Sequence, residues 1–239
     1  QPNQPSDWSP GMGTPAPYRI QEVVLVSSLY DAFILQEDGQ LEDLLSEGRA
    51  AFGSGSAPDM VRVSNASEAL DRVMNSDRNE LVIVTPQMGG INPVSFAEQV
   101  KQHTGSTPVV LLGYDAGAIQ SLMRDGGMNT FDEVFLWTGD SRILSSIVNL
   151  MEDRRNCVRD CEVVGVRSIL LVEDSLSFLS AYLPLLYTEI QQQTRSVLSE
   201  GVNRSHKLAR LRARPKILLA RDYRSAMHLF EEHRGHLLG

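Results

Sequence analysis

Residues 167–175 read Arg-Ser-Ile-Leu-Leu-Val-Glu-Asp-Ser. Ile169 to Val172 is a short aliphatic run, and two adjacent carboxylates, Glu173 and Asp174, end it. A helical period starts at once, with Leu176, Leu179, Leu183, Leu186, Tyr187 and Ile190 on one stripe. The stretch therefore reads as a buried strand that carries an acidic pair to its C-terminal tip and turns into a helix. Ligands of open α/β sheets sit at that edge. Two carboxylates crowded there repel each other unless a proton or cation intervenes, and their hard oxygens suit Mg²⁺. An acidic N-cap on an ordinary helix accounts for the same residues.

The same alternation runs on both sides of this stretch. Val23–Val26, Met60–Val63, Leu81–Val84, Pro108–Leu112 and Val134–Trp137 read as strands. Residues 29–51, 67–74, 94–103, 116–124 and 141–157 read as helices, with a Gly/Ser loop from Gly53 to Ala57. Strands that alternate with helices imply a parallel sheet covered on both faces. Leu81–Val84 is aliphatic throughout, as a central parallel strand must be. The expected fold class for 20–160 is α/β: a flavodoxin-like, doubly wound, parallel five-stranded sheet of order 2-1-3-4-5 with right-handed crossovers.

The pattern restarts at Ile169. A long helical region, 175–212, should kink at Pro184 and break at Gly201. Lys216–Ala220 reads as a second strand and Tyr223 to His233 as a helix, and a third strand is expected to begin at His236-Leu237-Leu238. Residues 166–239 thus read as a truncated second copy of the first unit, its first two βα units with a long kinked helix. Residues 1–19, rich in Pro, Gly, Ser and Gln, read as a disordered or extended leader.

Bulk properties narrow the function. The 239 residues carry a formal net charge of −8, which argues against a general nucleic-acid binder. No apolar run reaches membrane-spanning length, and no secretory pattern is present, so a cytoplasmic location is expected. Cys157 and Cys161 stand four apart in a helical segment, where a bridge is disfavoured, and two reduced thiols are expected. With no second Cys pair or His near them in sequence, zinc is not expected.

Ile169–Ser175 resembles the first strand and acidic pair of a receiver domain, the phosphoacceptor module of bacterial two-component response regulators. Residues 20–160 resemble the same family in fold pattern and strand spacing. The resemblance implies four groups at the sheet's C-terminal edge: an acidic pair for Mg²⁺, an acceptor Asp after the third strand, a Ser or Thr after the fourth and a Lys after the fifth. In the first copy each has changed. The acidic pair reads Ser27-Ser28, the acceptor position Thr85, the hydroxyl position Gly113 and the Lys position Trp137. A Thr hydroxyl is a poor substitute for a carboxylate nucleophile without a base beside it. The resemblance thus implies a degenerate receiver-like unit that takes no phosphate by the usual route and acts through protein contacts around its fourth and fifth units. Ile119, Leu122 and Met123 with Ile143, Ile147 and Leu150 are the helix residues that would carry such contacts, or else are core.

In the second copy Glu173 and Asp174 survive and imply a Mg²⁺ site, with no cofactor in the first. Phosphorylation of this copy is expected only in a longer chain. Residues 182–227 further resemble the N-terminal regulatory region of bacterial phosphoenolpyruvate synthase or pyruvate phosphate dikinase type proteins, which implies a phosphotransferase for a longer chain and no enzyme in this one. Arg204, Lys207, Arg210, Arg212 and Arg214 form a basic cluster, either a solvated helix face or a site for an acidic protein partner. Partners are expected to be a signalling protein, another region of the same protein or a second copy joined through the incomplete sheet. Nucleic acid and membrane are not expected. The alternative is a flavodoxin-like small-molecule-binding domain or enzyme fragment that uses the same sheet edge, with a ligand stacked on Trp137.

Overall fold

Five short, mostly aliphatic segments pair side by side, all parallel: β1 (Glu22–Val26), β2 (Asp59–Val63), β3 (Glu80–Val84), β4 (Val109–Gly113) and β5 (Glu133–Leu136), in the order β2-β1-β3-β4-β5. This is the flavodoxin-like order expected above. A computed structural model of the chain describes residues 18–31, 57–88, 91–124, 129–199 and 214–238. Most of the expected leader, the helix expected beyond Asp31, the loops at Gly53, Gly89–Gly90 and Gly126–Gly127, and Gly201, Arg204, Lys207, Arg210 and Arg212 lie outside the described residues.

The connecting helices start where polar side chains cap them. Asn65 accepts from Ser67 N at 2.9 Å and opens α1 (Ala66–Met74). Asn92 accepts from Val94 N at 2.8 Å and opens α2 (Pro93–Thr104), with Pro93 in the first turn, where its missing N–H costs nothing. The Asp115 carboxylate accepts from Gly117 N and Ala118 N and opens α3 (Ala116–Arg124). The fifth helix-strand unit ends in α4 (Arg142–Val164), which runs seven residues beyond the expected Cys157 and stops at Gly165 in the left-handed region, φ 73°.

Alternate strand residues point to opposite faces, and two apolar layers result. Val24, Val26, Val82, Val84 and Leu111 pack with Val73, Phe96, Val100 and Ile119 of α1, α2 and α3. Val23, Leu25, Leu81, Ile83, Leu112 and Phe135 pack on the other face with Ile143, Ile147 and Leu150 of α4. Ile119, Ile143, Ile147 and Leu150 are therefore core residues.

A second, two-stranded parallel sheet follows: β6 (Ser168–Val172) and β7 (Lys216–Ala220). Between them α5 (Leu176–Ser199) runs through Pro184 as one helix. After β7, Asp222 and Ser225 form a reciprocal capping box that opens α6 (Tyr223–His233). Leu179, Leu183, Tyr187 and Ile190 of α5, with Ile217 of β7, join the core of the first sheet on the α4 side. The outer edge of β5 is covered in the same way. Leu136 N donates to Ser180 Oγ at 2.8 Å, and Arg221 Nη2 donates to Val134 O at 3.0 Å and pairs with Glu133 at 2.9 Å.

A buried polar joint binds the two sheets' elements. Asp153 on α4 is fully buried, and its Oδ2 accepts from Tyr187 Oη at 2.9 Å, Arg214 Nη1 at 2.7 Å and Ile217 N at 3.2 Å. Lys216 Nζ stands 3.6 Å from Asp153 Oδ1 and 2.9 Å from Asp160 Oδ2. A desolvated carboxylate survives only with such company.

Candidate functional site

The C-terminal edge of the first sheet is built from the loops after β1, β3, β4 and β5. Ser27 is buried, with its N–H on Val63 O at 3.1 Å. Ser28 N donates to Gln87 O, and its Oγ accepts from Asp31 N at 3.0 Å, so this hydroxyl caps a turn. Thr85 has no exposed surface, its N–H bonds Val26 O, and its Oγ1 has no partner among the described residues. An attacking group needs access to its phosphoryl donor, which Thr85 lacks.

Gly113 ends β4. A Cβ placed there would lie 2.6 Å from Ile119 Cγ1, 2.7 Å from Ile119 Cδ1 and 3.1 Å from Pro86 Cγ. A side chain at this position would meet the isoleucine of α3. Trp137 lies one residue beyond β5 rather than inside it, and its N–H bonds Gly113 O at 2.7 Å. Its ring meets Tyr114 edge-on, centroids 6.4 Å apart. Tyr114 Oη donates to Asp31 O at 3.0 Å, and burial, with Asp31 nearby, raises its phenol well above the usual range. Asp31 is buried, and its Oδ2 has no partner among the described residues. The edge thus carries small hydroxyl residues at Ser27, Ser28 and Thr85 and an aromatic pair at Tyr114 and Trp137.

The second sheet's acidic pair sits at the end of β6. Glu173 N bonds Ala220 O, and its Oε1 accepts from Ser175 N at 2.9 Å, the capping role open to it from the start. Asp174 is exposed. Among the described residues no group of three or more His, Cys, Asp or Glu side chains is placed to hold a metal ion, so the pair alone would have to do so.

Arg214, expected on a partner-binding face, points inward: it is 6% exposed and bonded to Asp153 of α4. Two contributors, Tyr114 and Asp153, escaped the sequence reading, and a third, Ile119, reads there only as a contact or core residue of its helix. Tyr114 follows β4 without a motif of its own, and Asp153 stands within Glu152-Asp153-Arg154-Arg155, where no spacing marks it as buried. The thiols do share a side, with Cys157 Sγ and Cys161 Sγ 3.7 Å apart. A histidine does approach them: His233 Nδ1 of α6 is 4.0 Å from Cys157 Sγ, across 76 residues of sequence.

No family model matches the chain, and no curated protein matches it. The solved structures it is similar to are mostly response-regulator receiver domains. The receiver domain of an HD domain-containing protein from Pseudomonas fluorescens is 17% identical, with 62% of this chain and 98% of that chain covered and a TM-score of 0.46. The response regulator TrrA of Thermotoga maritima, in complex with Mg²⁺-BeF, is 17% identical over 55% of this chain and 99% of that one, TM-score 0.42. An adenylate cyclase from Rhodopirellula baltica is 13% identical over 61% and 96%, TM-score 0.45. None of these three is a phosphoenolpyruvate synthase or dikinase. The strand order and parallel pairing of β1 to β5 make the first sheet flavodoxin-like, the arrangement in which receiver domains are built.

Proposed function

We propose that the chain is a regulatory, protein-binding module of a bacterial two-component-type signalling protein, cytoplasmic and not itself an enzyme. Residues 20–160 are its degenerate receiver-like unit, and 166–239 are the opening of a second one. The observation that carries this reading is the contact between Gly113 and Ile119. A side chain that senses a phosphoryl group needs room at the end of β4, and Ile119 occupies it. The buried Thr85 hydroxyl and the uncharged Trp137 at the neighbouring strand ends support the same reading. Phosphoryl chemistry on a carboxylate requires cationic help at this edge, and none of these positions supplies it.

The second unit keeps Glu173 and Asp174. These two carboxylates would hold a Mg²⁺ that retains most of its waters, so binding is weak and Asp174 is the main ligand, Glu173 being shared with Ser175 N. Signalling then passes through surfaces rather than through chemistry in this chain. A second reading, a small ligand bound at the same edge, has support in the Tyr114–Trp137 pair and in the two buried oxygens on Asp31 and Thr85 that lack partners among the described residues.

The test is phosphorylation of the chain with acetyl phosphate and Mg²⁺, read by intact mass and peptide mapping. No phosphoryl adduct within 20–160 is the expected result. A stable adduct on any residue of that unit overturns the proposal. A saturable small ligand that contacts Trp137 would favour the second reading.

A further inference from the structure

Two sulfur atoms and an imidazole meet where α4 faces α6. Cys157 and Cys161 stand one turn apart on α4, and their Sγ atoms are 3.7 Å from each other. His233, in the last turn of α6, brings Nδ1 to 4.0 Å from Cys157 Sγ. All three side chains are buried. Leu218 of β7, with Leu170, Leu229 and Leu237, packs around the two thiols. None of these groups belongs to the phosphoryl edge of the first sheet.

The spacing suits two ligands of one ion. Sulfurs bound to a metal at about 2.3 Å stand about 3.8 Å apart at a tetrahedral angle and about 4.6 Å apart in line. The 3.7 Å between Cys157 and Cys161 lies at the near end, and side-chain rotation opens it. A disulfide needs Cβ atoms about 3.5–4.5 Å apart, whereas one helical turn holds them about 5–6 Å apart, so the helix keeps both sulfurs as thiols. The donors select the ion. Thiolates select soft metals. Structural zinc takes four donors, and among the described residues no group of three or more His, Cys, Asp or Glu side chains is placed to hold a metal ion. Cu(I), monovalent and with a filled d shell, is satisfied by two thiolates. His233 Nε2 lies 3.8 Å from Glu232 Oε2, which keeps the ring proton on that side and leaves Nδ1 to accept from Cys157 Sγ. Burial raises both thiols, and the Lys216 ammonium, held at 2.9 Å by Asp160, works in the other direction.

We infer that Cys157 and Cys161 form a two-coordinate site for a soft monovalent metal ion, Cu(I), enclosed by α4, β7 and α6. Binding breaks two S–H bonds and forms two Cu–S bonds. Both protons leave to solvent, and no oxidation state changes. The bis-thiolate complex carries one negative charge, which the Lys216 ammonium offsets, and the surrounding leucines keep water from the metal. This goes beyond the reading of the first sheet and does not depend on it.

The probe is Cu(I) itself, offered without oxygen as its coloured bicinchoninate complex to the whole 239-residue chain. The chain should remove a single Cu(I) and release a pair of protons, read by an indicator dye in weak buffer. The X-ray absorption spectrum of the bound copper should show a pair of sulfur neighbours. Cys157→Ala and Cys161→Ala should each abolish transfer, and Lys216→Gln should weaken it about 10–100-fold, as loss of an outer partner of the ligands does. Each variant is compared at unchanged circular dichroism. Copper left on bicinchoninate, nitrogen or oxygen neighbours in place of sulfur, or uptake by the double alanine variant equal to that of the parent would overturn the proposal. So would displacement of the bound ion by an equal concentration of Zn(II), because the site would then serve a metal with more donors. The absorption spectrum and the proton release are read on the parent chain, so they decide the matter even where an alanine at either cysteine unfolds the protein.

Discussion

The Cγ1 of Ile119 lies 2.6 Å from where a Cβ on Gly113 would stand. Overpacking of this kind costs about 1–3 kcal/mol, so Gly113→Ser should lower unfolding stability by that amount. Ile119→Ala alone should cost about 2–5 kcal/mol through its cavity. The double variant should be more stable than the sum of the two predicts, because each change relieves the other. Urea titrations of the three variants read this directly, and strict additivity would mean the contact is not what excludes a side chain at this position.

Asp153 ties α4 to α5 and β7 through Tyr187, Arg214 and Ile217. Asp153→Ala removes the buried carboxylate that Arg214 Nη1 binds, while Lys216 keeps Asp160, and should cost about 3–5 kcal/mol. Tyr187→Phe removes one hydrogen bond and should cost about 1–2 kcal/mol. Because Leu179, Leu183, Tyr187 and Ile217 share the first sheet's core, the described parts of both units should melt in one calorimetric transition. Two separated transitions would contradict the shared core.

Glu22 and Glu80 are register partners on β1 and β3 and are both buried. Arg72 and Arg78 both turn to Glu22, at 2.6 and 3.0 Å. The Arg72 hydrogen bond, against the opposing effect of burial, holds the Glu22 carboxyl below its ordinary value, whereas burial pushes Glu80 up. The signs are opposite. Glu22 contributes stability that is present above the unfolded value and lost as pH falls through the folded one. Glu80 favours folding when protonated, and that contribution is lost as pH rises through its folded value. Glu80→Gln should therefore raise the Tm at pH 7 by a few degrees, for about 1 kcal/mol or less, and change little below pH of about 4. Glu22→Gln should lower the Tm at pH 7. Thermal melts at the two pH values check both signs.

Cys157 and Cys161 are buried on one side of α4. Burial, and for Cys157 also its neighbouring thiol, raises both above the ordinary thiol range, so little thiolate is available at neutral pH. Native protein at pH 7.5 should react with iodoacetamide far more slowly than urea-unfolded protein, read by mass spectrometry. Alkylation at the unfolded rate would place these thiols at the surface.

The first sheet was legible because five aliphatic runs recur at βα spacing and a parallel strand buried on both faces tolerates little else. Its strand order followed from the class. Ser27, Ser28, Thr85, Gly113 and Trp137 were legible as departures from the receiver pattern, yet their packing was not. That Ile119 fills the Gly113 place is a tertiary fact, and helical periodicity gives only the face on which Ile119 lies. The same limit hid the role of α5. Leu179, Leu183 and Tyr187 read as a buried stripe, but a stripe does not say which sheet it covers, and it covers the first. Arg214 read as one of a basic cluster because charge runs are normally solvated, and only the fold brings it to Asp153, 61 residues away in sequence. His233 reaches Cys157 for the same reason.

The central claim is that the edge formed by Ser27, Thr85, Gly113 and Trp137 does not respond to phosphate. The most direct measurement is the fluorescence of Trp137 in a Trp8→Phe variant, titrated first with Mg²⁺ and then with beryllofluoride. No saturable change with beryllofluoride is predicted. A small response to Mg²⁺ alone that Asp174→Asn abolishes fits the account, since it places the metal at the second acidic pair. A saturable response that requires beryllofluoride would contradict the account, because a phosphoryl mimic would then have found a site that Ile119 and Trp137 are held to have closed.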